Sequence, residues 1–232
     1  SSTSRGLGDV YKRQSKKIMI AVGGESSFPP FDGNKFMINS DKALDLTDLP
    51  KSIAIYGSGY IAVEFAGIFN GFGVETHLIF RSDKVLRGFD HDIRDQLMTS
   101  MKQKGIKIHS EKTISKIEKN NDKYKVLLSD QNSLIVGSVM GATGRIPKIS
   151  KLELDKIGVE IGSKGEILTN KYNQTNIDSI YAIGDVTDKV TLTPVALAEG
   201  HAFADREFGN KLRFISYDNI ASAVFSLSLI HI

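Results

Sequence analysis

The apolar run Ser52-Ile53-Ala54-Ile55-Tyr56 leads directly into Gly57-Ser58-Gly59-Tyr60-Ile61-Ala62 and then into Val63-Glu64-Phe65-Ala66-Gly67. This order reads as strand, glycine turn and helix start, which commits the region to a strand–turn–helix unit of a parallel α/β sheet. Gly57 permits the tight turn, and the missing Cβ of Gly59 lets phosphates approach the backbone. The first helix amides, from about Tyr60, lack intrahelical acceptors and carry partial positive charge, so they suit the pyrophosphate of a dinucleotide. With 21 Gly in 232 residues, such a string also arises in ordinary loops, so the residues that follow must discriminate.

The second strand is predicted at Glu75-Thr76-His77-Leu78-Ile79-Phe80. Its end is where a dinucleotide fold that takes NAD keeps an acid for the adenosine ribose hydroxyls. No acid stands there. Phe80 is followed by Arg81, and Arg87 lies six residues on. A carboxylate would repel a 2′-phosphate, whereas guanidinium forks match its oxygens. The residues therefore point to NADP(H) rather than NAD(H), with a solvated basic loop as the alternative reading.

Asp9-Val10-Tyr11-Lys12-Arg13-Gln14 and Leu227-Ser228-Leu229-Ile230-His231-Ile232 can be encoded by one DNA sequence and its reverse complement. Residues 1–14 and 227–232 are accordingly expected to be adaptor-like, non-native segments, and the chain between them an internal fragment of something longer. Setting aside Arg5, Asp9, Lys12 and Arg13 lowers the formal net charge from +3 to about +1. The balance and the lack of a Lys/Arg block with interleaved aromatics argue against a nucleic-acid partner. With 41% hydrophobic residues and no run of transmembrane length, a soluble globular chain with one or two cores is predicted, and no membrane partner. The absence of Cys excludes disulfides and thiolate metal sites in this chain, and its scattered His lack ligand spacing.

Elsewhere, Lys17-Ile18-Met19-Ile20-Ala21-Val22 reads as a buried strand ending at Gly23-Gly24. Ser40 or Asp41 is expected to cap a short helix through Leu44. Residues 90–104 have helical apolar spacing that stops near Gly105. Residues 107–136 alternate in short β-like runs broken at Asn120-Asn121-Asp122 and Asp130-Gln131-Asn132, predicting hairpins or a meander that covers one sheet face. A further strand runs from Ser138 into Gly144-Arg145 and Pro147, bringing one cation and a backbone without a Cβ close to a ligand. Ile180-Tyr181-Ala182-Ile183 ends in Gly184-Asp185, where a carboxylate can accept from a sugar or polyol hydroxyl. Thr193-Pro194 then opens an Ala-rich helix, with Thr193 as expected N-cap and Pro194 as first helical residue.

In this order, Ala21 to Gly24, Gly57 to Glu64, Arg81 to Asp90, Ala142 to Pro147, Tyr181 to Val186 and Leu192 to Ala196 resemble the pyridine nucleotide-disulfide oxidoreductases, and within them the branch that reduces glutathione disulfide. The resemblance covers nearly all of 15–226. It implies an α/β protein with Rossmann-like FAD- and NAD(P)-binding domains, in which a central NADPH domain with parallel sheet and β-meander accompanies a partial FAD domain. Residues 15–23 would end the first part of the FAD domain and 24–147 would form the NADPH domain. Residues 148–217 would return to the FAD domain, and 218–226 would begin a dimer interface domain.

Gly57, Gly59, Ile61 and Ala62 would hold the NADPH pyrophosphate side, and Arg81 and Arg87 the 2′-phosphate. Tyr60 would cover the flavin, and Glu64 would orient the nicotinamide carboxamide. Gly144 and Arg145 would lie along the cofactor, Asp185 would bind the FAD ribitol, and Leu192 with Thr193 would face the flavin pyrimidine edge. The implied parent is a cytoplasmic, homodimeric flavoenzyme that takes a small-molecule disulfide, with FAD and NADPH as cofactors. The family's redox Cys pair is absent, so this chain holds no catalytic residue of its own for disulfide exchange. Another NADPH-dependent disulfide reductase, or a nucleotide-binding fragment without activity, are the alternatives.

Overall fold

The computed structural model describes residues 13–226, so residues 1–12 and 227–232 of the adaptor-like segments lie outside the described residues. In chain order the elements begin with β1 (Ile18–Ile20), β2 (Gly24–Ser26), α1 (Ser40–Leu44), β3 (Ser52–Tyr56), α2 (Tyr60–Gly71), β4 (Glu75–Ile79) and α3 (His91–Gln103). There follow β5 (Lys107–His109), β6 (Ile114–Asn120), β7 (Lys123–Leu128), β8 (Ser133–Val136), β9 (Ser138–Gly141), β10 (Arg145–Pro147), β11 (Ile180–Ala182) and α4 (Thr193–Phe208). The described chain divides into two compact units. One is Glu25–Ile146 with 221–226, and the other is 13–24 with Pro147–Ile220.

The larger unit is built on a parallel sheet in the order β5-β4-β3-β9. Ile55 of β3 lies opposite Leu78 on one side and Met140 on the other. Because side chains alternate across a strand, Ile53, Ile55, Leu78 and Met140 pack with Ala62, Phe65, Phe69 and Met101 of the helices. Ala54, Tyr56, Ile79 and Val139 pack on the opposite face with Ile114, Ile117, Val126 and Leu128. Cover on both faces is why these strands read as unbroken apolar runs rather than alternating ones. Burying each of the Ile, Leu, Val, Met and Phe side chains contributes about 1.5–3 kcal/mol.

The second face is covered by the antiparallel meander β6-β7-β8, as the sequence pattern predicts. Its two reversals place Asn121 and Gln131 in the left-handed region, at φ 51 and 68. Helix α3 also matches its expectation: the Asp90 carboxylate accepts from the amides of Asp92 and Ile93, and Gly105 follows the helix with φ 91. Two details differ. Lys107–His109 joins the parallel sheet beside β4 rather than the meander. Helix α1 is capped by Asn39, whose side chain accepts from Lys42 N–H at 3.0 Å, rather than by Ser40 or Asp41.

The smaller unit pairs β1 in parallel with β11. Its core gathers Ile20, Leu154, Val159, Ile167, Ile180, Ala182 and Val186. The expectation of a buried β1 is corrected here, because Ile18 and Met19 are 49% and 36% exposed and only Ile20 is buried. Among the described residues β1 has a single strand neighbour, so much of its surface stays open. Helix α4 corrects a second expectation. Leu192 is its N-cap, with no side-chain capping bond, and Thr193 is the first helical residue. The Leu192 carbonyl already accepts from Val195 at 3.0 Å and Ala196 at 3.1 Å, which draws Thr193 into the first turn.

Candidate functional site

At the carboxyl end of β3 the chain turns through Gly57 with φ 148. A Cβ there would lie 2.1 Å from the Ala142 carbonyl oxygen, so the glycine is required by the neighbouring strand end. The Gly57 amide donates to Ile79 at 2.9 Å, and the Ala142 amide to Tyr56 at 2.7 Å, which fixes the ends of β3, β4 and β9 together. Gly59 differs. It caps α2 without a side chain, and a Cβ built on it meets nothing within 4 Å. The first amides of Tyr60, Ile61 and Ala62 precede the bond from Val63 to Gly59 at 3.1 Å, so they offer donors into that open space. Bare backbone, free amides and the positive end of a 12-residue helix form a donor set that fits the pyrophosphate of a pyridine dinucleotide.

The loop carrying Arg81 and Arg87 is joined to this turn by the Leu86 amide, which donates to the Ser58 carbonyl at 2.7 Å. Leu86 adopts φ 54 and is buried with Val85, which anchors the middle of the loop in the helix-side core. Arg81 and Arg87 remain exposed at its two ends, and among the described residues neither forms an ion pair. The other cation of the loop, Lys84, is spent on Asp95 at 2.7 Å. Burial raises the Tyr56 hydroxyl above its usual value of 10.0, opposed first by a hydrogen bond with the Ile114 backbone and then by the Arg81 charge. The loop that carries both arginines and the start of α2 are thus joined at one edge of the sheet.

Gly144 and Arg145 follow β9 on the same edge. Gly144 has φ 159 with open space at its Cβ position, and its carbonyl accepts from Ser27 at 3.0 Å. Tyr60 is 42% exposed on the first turn of α2, with Glu64 one turn further along the same helix face. Glu64 Oε1 accepts the Phe225 backbone amide at 3.0 Å.

The smaller unit gathers Asp185, Leu192 and Thr193. Gly184 sits in the left-handed region at φ 72 and opens the 3-10 turn Gly184–Thr187, which packs on α4. The Gly184 amide donates to Glu199 Oε2 at 2.6 Å, and Glu199 Oε1 accepts from Tyr217 Oη at 2.5 Å. Burial, and then the Glu199 carboxylate, hold the Tyr217 hydroxyl well above its ordinary value of 10.0.

Two residues that shape these sites are absent from the sequence-predicted set. Glu199 is almost fully buried in the apolar stripe Val195, Glu199, Ala202 and Phe203 of α4. Arg94 is buried on α3 one heptad before Met101. In both cases the available signal was a charged residue at an apolar position of a helical period, which folds only if that charge finds polar partners.

A family model described as pyridine nucleotide-disulphide oxidoreductase matches residues 2–200. The chain belongs to that family. It is 44% identical over 222 residues to glutathione reductase of a Nostoc species, covering 90% of this chain and 48% of that protein. It is 39% identical over 218 residues to trypanothione reductase of Trypanosoma congolense, covering 92% of this chain and 44% of that protein. Among solved structures, the HOCl-induced flavoprotein disulfide reductase RclA from Escherichia coli is similar at a TM-score of 0.81 and 29% identity, over 85% of this chain and 46% of that one. The chain therefore spans about half the length of the relatives it matches. The Rossmann-like α/β reading of the sequence agrees with these neighbours. Among the described residues no helix is long and apolar enough to cross a membrane.

Proposed function

We propose that this chain supplies the NADPH site and part of the FAD site of a glutathione-disulfide reductase. The observation that carries the reading is the pairing of Arg81 and Arg87, both exposed, on a loop tied through Leu86 to the glycine turn at the α2 N-terminus, with no acid at the end of β4. When bound, NADPH supplies a hydride and FAD accepts it. The chain's own residues bind and orient. The amides of Tyr60, Ile61 and Ala62 take the pyrophosphate beside Gly57 and Gly59, and the two arginines take the 2′-phosphate. Tyr60 covers the flavin, and Gly144 with Arg145 lines the cofactor. Glu64 orients the nicotinamide carboxamide once its oxygen is released from the Phe225 amide. In the smaller unit Asp185 accepts from the ribitol, with Leu192 and Thr193 at the flavin edge, supported by the Gly184 turn and the start of α4.

The domain reading accompanies this proposal: 24–147 as the NADPH domain, 15–23 and 148–217 as parts of the FAD domain, and 218–226 as the start of a dimer interface. A cytoplasmic homodimer that reduces glutathione disulfide is the parent it implies. The chain has no Cys, so thiol–disulfide exchange belongs to groups outside it. The 39% identity to a trypanothione reductase supports a second reading with a different small disulfide and the same cofactors.

Titration calorimetry of the chain at low salt with NADPH and NADH tests the cofactor reading. Saturable binding that favours NADPH is expected, and Arg81→Ala and Arg87→Ala should each cost NADPH about 1.5–3 kcal/mol while leaving NADH nearly unchanged. Equal losses for both cofactors would remove the 2′-phosphate assignment.

A further inference from the structure

The loop 81–89 contains no strand or helix, yet two side chains six residues apart on it must converge on one small ligand group. Something must fix its shape. Near its Arg81 end the Ser82 carbonyl accepts from the Glu111 amide at 3.0 Å, and further on the Leu86 amide holds Ser58, the Ser82 hydroxyl donates to the Lys84 carbonyl at 2.8 Å and Lys84 pairs with Asp95. The peptides between Lys84 and Val85 are tied from α3. Arg94 Nε donates to the Val85 carbonyl at 2.6 Å, and its Nη2 donates to the Lys84 carbonyl at 3.2 Å. Its side chain is only 9% exposed, and the nearest carboxylate, Asp83, is 3.9 Å away and itself 69% exposed. Two main-chain oxygens, rather than an acid, are thus its close partners. They lie midway between Arg81 and Arg87. A planar, forked cation bound to two successive carbonyls restrains the direction of the peptides between them more strictly than an ammonium, whose three donors rotate about one nitrogen.

We propose that Arg94 is a positioning residue that sets the spacing of Arg81 and Arg87 and thereby the preference for a 2′-phosphorylated dinucleotide. It acts from beneath the loop and does not touch the ligand. The inference rests on reading Arg81 and Arg87 as the phosphate-binding pair. Without Arg94 the Val85 and Lys84 carbonyls lose their buried donor, the loop samples other shapes, and the two guanidinium groups no longer meet on one phosphate. The turn and the start of α2 are fixed by the Gly57 amide on Ile79 and the Val63 amide on Gly59, so the contacts shared by both cofactors are spared.

The test measures NADPH and NADH affinities of the full chain by calorimetry for five proteins: wild type, Arg94→Met, Arg94→Lys, Arg81→Ala/Arg87→Ala, and Arg94→Met combined with Arg81→Ala/Arg87→Ala. Arg94→Met is expected to lower NADPH affinity about tenfold, the size of one lost hydrogen bond to a charged group, with NADH affinity unchanged. In the Arg81→Ala/Arg87→Ala background the same substitution should have no further effect on NADPH, because residues acting through one another are not additive. Arg94→Lys should give a smaller loss. Equal weakening of both cofactors by Arg94→Met, or an unchanged ratio, overturns the positioning role while leaving the phosphate assignment intact. A wild type without NADPH preference, or a preference that survives Arg81→Ala/Arg87→Ala, overturns the phosphate assignment and this inference with it. Should Arg94→Met not fold, Arg94→Lys is read instead: a narrowed ratio supports the proposal and an unchanged one overturns it.

Discussion

Strands β3 and β1 are both short apolar runs, yet Ile53, Ala54 and Ile55 of β3 are wholly buried whereas Ile18 and Met19 of β1 are 49% and 36% exposed. The difference lies in the neighbours. β3 has a parallel strand on each side, helices on one face and a meander on the other. Among the described residues β1 has one strand partner, and of its three residues Ile20 joins the core. The larger unit thus carries a core on both faces of its sheet, and in the smaller one the strand β1 leaves Ile18 and Met19 at the surface. Equivalent sequence patterns therefore acquire different energetic weight according to what covers them.

The largest effect that would break or sharpen this contrast is a pair of core truncations. Ile55→Ala should cost about 2–5 kcal/mol, since it opens a cavity in a site closed on every side. Met19→Ala should cost less than about 1 kcal/mol, because water already reaches the side chain. Urea denaturation followed by circular dichroism separates the two, and equal losses would abolish the distinction between the units.

Next come the two glycines of the turn. Gly57→Ala places a Cβ 2.1 Å from the Ala142 oxygen at φ 148, and should cost roughly 2–4 kcal/mol from strain and overpacking together. Gly59→Ala, at φ −79 with open space, should leave the thermal midpoint within a few degrees but weaken NADPH binding, since the methyl fills the space a phosphate would use. Unaltered NADPH affinity in Gly59→Ala would leave that turn as packing alone.

In the smaller unit, Glu199→Ala removes the acceptor of both the Gly184 amide and the Tyr217 hydroxyl, with an expected loss of about 1–3 kcal/mol. Glu199→Gln should keep most of that stability and lower the pH at which one tyrosine ionises, read from the ultraviolet absorbance of phenolate. A tyrosine titration identical to wild type would show that burial alone holds Tyr217.

The smallest effect concerns pH. His77 Nδ1 lies 3.0 Å from His109 Nε2 across β4 and β5, and the rings stack. Burial, first, and nearby cations lower both below 6.5, while Glu75 opposes the shift at His77. For a depressed base the unfolded chain binds more protons, so stability is fully present above 6.5 and falls as pH drops toward the folded values. Denaturation midpoints between pH 7 and 5 should therefore decline, and His77→Gln should shallow that slope. A slope unchanged by the substitution would assign the acid sensitivity to other groups.

The strand–glycine–helix unit, the meander and helix α3 were legible in the sequence because each depends on local chemistry: Gly57 at a turn, Asn121 at a reversal, and Asp90 and Gly105 at helix ends. These are choices a few neighbouring residues make with their own backbone. Membership of the pyridine nucleotide-disulphide oxidoreductases followed from the order of such pieces and agrees with the family match over residues 2–200. What local pattern did not contain was the pairing of Lys107–His109 with β4 and the exposure of Ile18 and Met19. The same holds for the buried charges Arg94 and Glu199, whose partners stand 9 and 15 residues away in sequence. Only tertiary structure decided these, because a strand's cover and a buried charge's acceptors are supplied by segments that become neighbours after the chain has folded.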